Sequence, residues 1–194
     1  AQLAAGYAPQ LRVAGSAVGA APADIDEVAR LHDGGPAGSL VLAGAVGLAT
    51  AYPRVPFQGI LNADGRAAVQ QISTMCTEEM AVRFAFKSLD GYTTVPDAME
   101  LPEWRRVLDA VRLGRTAPAP PAMVYHSVGD ELIPVTQGTA LHRRWCDRGA
   151  TVQFQGAVLG EHLAGLFAGA PLAVRYLDER FAGTAAPSTC GLVP

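Results

Sequence analysis

Apolar and polar positions divide the chain into two regimes. From about residue 22 to 115 the apolar positions recur mainly at helical spacing, and short strand-like runs separated by helices follow. The stiff segment Ala117-Pro-Ala-Pro-Pro121 is the hinge between them. Ahead of both, Leu11–Ala21 is a run of small apolar residues and predicts a buried parallel strand, broken by Pro22. Asp24 is placed to cap a helix, with Glu27 completing a capping box and Ile25, Val28, Ala29 and Leu31 on its apolar face. Residues 37–52 carry no charge and predict a buried helix or helix hairpin, too short to span a bilayer comfortably. Residues 69–87 continue the helical character. Trp104, Val107, Leu108 and Val111 recur at i, i+3, i+4 and i+7 between Pro102 and Gly114, which predicts an amphipathic helix.

Beyond the hinge, Ala122–Val128 reads as a strand, Thr136–Arg148 as a helix with Leu141 and Trp145 inward and Gly149 as its cap, and Thr151–Gln155 as a second strand. A last helix is expected from Pro171 to Phe181, with Val174, Leu177 and Phe181 on one face. Strand, helical insertion, strand, helix, strand, helix is an α/β order, and its crossovers imply parallel pairing.

Composition narrows the picture further. The 194 residues are 49% apolar and 17% charged, enough for a sizeable core. A net charge of −3 gives no electrostatic case for nucleic acid. The opening Ala1–Pro9 reads as the tail of a helix already under way, so the chain is expected to be part of a longer protein. A bridge between Cys146 and Cys190 would pin the C-terminal tail and leave Cys76 over; three reduced thiols are the alternative.

Two residues carry candidate chemistry. Asp130 follows the turn at the end of the 122–128 strand, and His162 follows Gly160-Glu161 at the end of the next strand-like run. In open α/β sheets that edge is where catalytic groups sit, and acid before histidine is the order of the last two members of a hydrolase triad. Glu131 is the rival acid, but adjacent side chains at a strand end diverge. His126 lies within its strand, His142 stands beside Arg143 and Arg144 on an outer helix face, and His32 precedes a helix stop. None has metal-ligand spacing, and no cofactor or metal is expected. A nucleophile elbow needs G-x-S-x-G, and no such string occurs; Ser16, Ser39 and Ser127 all sit in other contexts.

Taken together, Ala1–Leu11, Ala21-Pro-Ala-Asp24, Ala51-Tyr-Pro53, Tyr125–Pro134, Trp145-Cys146 with Gly149-Ala150, Gly160-Glu-His162 and Arg180-Phe-Ala-Gly183 resemble the secretory lipases of fungi and actinobacteria, almost from end to end. The resemblance implies the C-terminal part of an α/β-hydrolase that cleaves carboxylic esters of lipids. Asp130 would be the triad acid and His162 the base. Residues 1–21 would be a helix tail and core strand, 22–116 a helical cap that shapes the acyl site, and 117–194 the core carrying acid and histidine. It also implies export, a Cys146–Cys190 bridge, and a partner for Cys76 in an N-terminal part that would also supply the serine and oxyanion donors. The expected partners are a lipid or ester substrate and that N-terminal part; neither nucleic acid nor membrane integration is expected. The fragment alone should be inactive. Competing readings are a peptidase or acyltransferase of the same fold, and a non-catalytic module binding an apolar ligand or partner through residues 37–52.

Overall fold

A computed structural model describes residues 1–156 and 160–192. In chain order the elements are α1 (Ala4–Tyr7), β1 (Ser16–Gly19), α2 (Ile25–His32), α3 (Gly38–Ala51), α4 (Phe57–Ile60), α5 (Ala63–Ile72) and α6 (Thr77–Arg83). Then come two 3-10 turns, α7 (Pro102–Val111), β2 (Ala122–His126), α8 (Val135–Cys146), β3 (Val152–Gly156) and α9 (His162–Phe181). They form two compact units, Ala1–Ala23 with Arg112–Pro194, and Asp24–Val111.

The unit Asp24–Val111 is helical throughout its named elements. Asp24 caps α2, its carboxylate accepting from Glu27 N at 3.4 Å. The helix turns Ile25, Val28 and Ala29 inward as expected and buries His32, while Leu31 is 56% exposed. On the same helix, Asp26 binds both Arg30 at 3.0 Å and Arg105 of α7 at 2.6 Å. The charge-free run forms one helix, α3, which buries Val41, Leu42 and Ala45 in a core shared with Phe57, Leu61, Phe84 and Trp104. Phe57 meets Trp104 edge-to-face, with ring centroids 5.6 Å apart. On α7, Trp104, Val107 and Leu108 are buried, the face its periodicity dictates.

The other unit is built on a parallel sheet in the order β1-β2-β3. Val18, Val124 and Phe154 lie side by side across it. One face packs Ala122, Val124 and Val152 against Leu141 and Trp145 of α8. β1 is shorter than the Leu11–Ala21 run. Its ladder opens with Ser16 N donating to Pro121 O at 3.0 Å, and the prolines before that point have no N–H to extend it. Ala20, at φ 42°, then turns the chain out of the sheet.

Helix α8 starts and ends as expected to within two residues, and Gly149, at φ 77°, follows its end. His142 is not on an outer face. It is buried, its ring edge-on to Phe154 of β3 at 5.8 Å and its Nε2 3.0 Å from Thr189 Oγ1. The cause is the C-terminal tail, which lies over α8 and is bound there by the Cys146–Cys190 disulfide. The bridge implied by the resemblance is therefore present, and Cys76 is free and exposed.

Helix α9 departs most from expectation. It begins at His162 rather than Pro171, which lies inside it. Glu161 caps the N-terminus with bonds to Leu163 N and Ala164 N, and that start prevails over the boundary signal of the proline. Val174 and Phe181 are exposed; the buried face is Gly169, Tyr176 and Arg180. Arg180 lies over the Tyr176 ring and donates to Thr184 O and Ala185 O, which turns the chain after the helix. The strand-like run leading to Gly160 includes residues 157–159, which lie outside the described residues.

Replacing both Cys146 and Cys190 by serine should lower the unfolding free energy by about 4 kcal/mol, the loop-closure value for a bridge spanning 44 positions, measured by urea denaturation. Burial lowers the His142 pKa from 6.5, a backbone bond at Val152 opposing and the Arg143 charge adding to the shift. The unfolded chain then takes up this proton more readily than the native one, so stability falls as pH drops below 6.5. His142→Gln should flatten that fall in urea titrations run across this pH range.

Candidate active site

The site is assembled where β2 and the chain after β3 leave the sheet. Strand β2 ends at His126, and Ser127, Val128 and Gly129 turn the chain so that Asp130 N meets Ser127 O at 3.4 Å. Ser127 Oγ donates to Gly160 O, joining this turn to the one before α9. Gly129 is required at the junction, because a Cβ there would stand 2.8 Å from Gly160 O. Gly160 itself sits at φ 148°, a conformation that favours glycine.

The Asp130 side chain is 1% exposed. Its Oδ1 accepts from Leu132 N at 3.0 Å and Ile133 N at 2.7 Å, which locks the carboxylate against its own backbone. Both oxygens then face His162 Nδ1, at 3.0 and 2.9 Å. A carboxylate can only accept, so Nδ1 carries the proton and the neutral ring keeps its lone pair on Nε2. Nε2 has no hydrogen-bond partner among the described residues, and the side chain is 28% exposed. That is the arrangement of a general base: one nitrogen tethered to a buried acid, the other presented to the pocket.

The pocket wall is made by Gly19, Ala20, Tyr125, His126, Ser127, Gly165 and Leu166 around the acid–histidine pair. Tyr125 lies in a slot. A Cβ on Gly19 would come within 2.2 Å of its ring, and one on Gly169 within 2.3 Å. His126 is fully buried and donates from Nε2 to Ile133 O at 2.7 Å, with Asp130 Oδ2 3.6 Å away; it braces the turn that holds the acid.

Of the sequence candidates, Asp130 and His162 come together. Glu131, the rival acid, touches His162 only through the backbone, accepting from His162 N at 3.0 Å. His32 lies at the end of α2 and His142 under the C-terminal tail. Among the described residues, His142, Cys146 and Cys190 gather ligand-type atoms within 4.8 Å, but both sulfurs are spent in the disulfide. Sequence reading missed the capping by Glu161 and the bond to Glu131. The visible signal was a glutamate directly before the histidine, although glutamate is an uncommon N-cap.

The parallel sheet brings a buried aspartate and a part-exposed histidine together at its strand ends, and residues 1–189 match the family model for secretory lipases. The chain belongs to that family. It is 29% identical over 201 residues to Lipase 10 of Candida albicans, covering 95% of this chain and 43% of that protein. A Mycobacterium tuberculosis protein named a probable inactive lipase is 28% identical over 186 residues, covering 91% of this chain and 41% of that protein. The solved structure of Candida antarctica lipase A in its closed state superposes with a TM-score of 0.90 at 23% identity, over 98% of this chain and 47% of that one. The chain has a partial α/β-hydrolase fold and spans less than half the length of these relatives. Membership in a secretory family, with Malassezia furfur relatives named as secreted, supports an extracellular location. No helix among the described residues is long and apolar enough to cross a membrane.

Gly169→Ala should force Tyr125 out of its slot and destabilise the protein by about 1–3 kcal/mol, the usual cost of overpacking, read from thermal or urea unfolding.

Proposed function

We propose that this chain supplies the acid and the base of a Ser-His-Asp triad that hydrolyses carboxylic esters of lipids, the serine coming from residues outside these 194. The observation that carries this reading is the His162 Nδ1–Asp130 contact at 2.9 Å with Nε2 left unpartnered beside a pocket. Family membership supports the chemistry, and relatives named as triacylglycerol lipases support the substrate class. In the reaction His162 Nε2 takes the serine hydroxyl proton as Oγ attacks the ester carbonyl. Asp130 stabilises the imidazolium, which returns the proton to the leaving alkoxide. Water then repeats the cycle on the acyl-serine: its proton goes to Nε2, the fatty acid departs, and the serine is restored. The helical unit Asp24–Val111, with its charge-free helix α3, would serve as the cap that receives the acyl chain.

A non-catalytic reading has one specific support, the relative named as a probable inactive lipase. Fluorophosphonate labelling separates the two. The isolated 194 residues should take no label, whereas the protein containing the upstream serine should take one, lost on His162→Ala. Labelling of the isolated chain would sink the claim that its nucleophile lies elsewhere, and no labelling of the longer protein would favour a binding module. Asp130→Asn in the longer protein should lower kcat by about four orders of magnitude with KM little changed. A panel of acyl esters against peptides distinguishes a lipase from a peptidase of the same fold.

A further inference from the structure

We infer that Glu131 is a positioning residue for His162, holding the histidine by its backbone while Asp130 holds it by its ring. The inference rests on the role proposed for His162 above, but its geometry stands independently. The first N–H groups of a helix have no partner within it and must find one outside. On α9 the Glu161 carboxylate takes two of these, Leu163 N at 2.8 Å and Ala164 N at 3.0 Å. From Gly165 N onward the regular helical bonds begin, the first going to Glu161 O at 2.9 Å. Of the three amides in the first turn, His162 to Ala164, that of His162 is the one the Glu161 carboxylate leaves, and Glu131 Oε2 accepts it at 3.0 Å.

Asp130 and Glu131 are consecutive, so their side chains diverge from the strand-end turn. That divergence makes the second acid a poor rival for the imidazole and a good partner for the amide. One dipeptide thereby grips one residue at two points. A ring held only at Nδ1 can still pivot with its backbone. Fixing the amide removes that freedom and keeps Nε2 in one place relative to the nucleophile. Because the bond is charge-assisted, its loss should be felt at the amide by about tenfold.

The test compares the full chain with Glu131→Ala and Glu131→Gln, using hydrogen exchange at the His162 amide and the NMR signal of its Asp130-bound Nδ1 proton. In the unsubstituted chain the amide should exchange at least tenfold more slowly than an unstructured one. Glu131→Ala should speed it about tenfold and broaden or abolish the Nδ1 signal, while Leu163 and Ala164, held by Glu161, keep their protection. Glu131→Gln keeps an oxygen acceptor and should restore both readouts to within about twofold. In the serine-containing protein, Glu131→Ala should lower kcat about tenfold with KM unchanged, and Glu131→Gln should recover it. Unprotected exchange in the unsubstituted chain overturns the inference even if the alanine variant does not fold. So does an alanine variant with unaltered signals or unaltered kcat, or a glutamine variant as impaired as the alanine one. The exchange and Nδ1 readouts need no ester turnover. A longer protein that takes no fluorophosphonate would therefore defeat the proposed hydrolase function while leaving the two-point hold intact.

Discussion

A carboxylate taken out of water has to be fully hydrogen-bonded, and the site is built around meeting that requirement at Asp130. Two backbone N–H groups, from Leu132 and Ile133, and the His162 ring converge on its two oxygens. Each of these partners is itself constrained. The backbone donors belong to the turn that leads into α8, and Ile133 O is tied back to His126 inside β2. The ring belongs to the first residue of α9. Removing the carboxylate would take the acceptor from donors on two chain segments at once, so fold and site share one polar network.

That network needs two strand-end turns in close contact, and small residues make the approach possible. Gly129 meets Gly160 backbone to backbone, and Ser127 bonds the same carbonyl from the other side. Below them, Gly19 and Gly169 leave the width of a tyrosine ring between β1 and α9, and Tyr125 fills it. The parallel register sets the direction: with Gly19 beside Tyr125 and His126 beside Gly156, the strands end on one edge of the sheet. A side chain at Gly129 would push the turn that carries Asp130 against the one before α9.

Much of this was legible from residue types alone. The Gly-Asp turn after an apolar run and a histidine after a glycine located both members of the pair, and the i, i+3, i+4, i+7 spacing located the inner face of α7. What was not legible depended on distant segments. His142 reads as an outer residue from its own helix, since the tail that covers it lies more than forty positions away and is bound by a disulfide. The start of α9 was hidden because Pro171 is a strong local boundary and Glu161 a weak one, and the weak one prevailed through its bonds to Leu163 and Ala164. The start of β1 follows from prolines in its partner strand's approach, and its end from the turn at Ala20.

Asp130 fixes the tautomer of His162 and leaves Nε2 free of any partner among the described residues. Imidazole nitrogen chemical shifts of His162, recorded at a pH where the ring is neutral, test it most directly. They should show a proton on Nδ1 and a lone pair on Nε2. A proton on Nε2, or the rapidly exchanging mixture of a free imidazole, would contradict it.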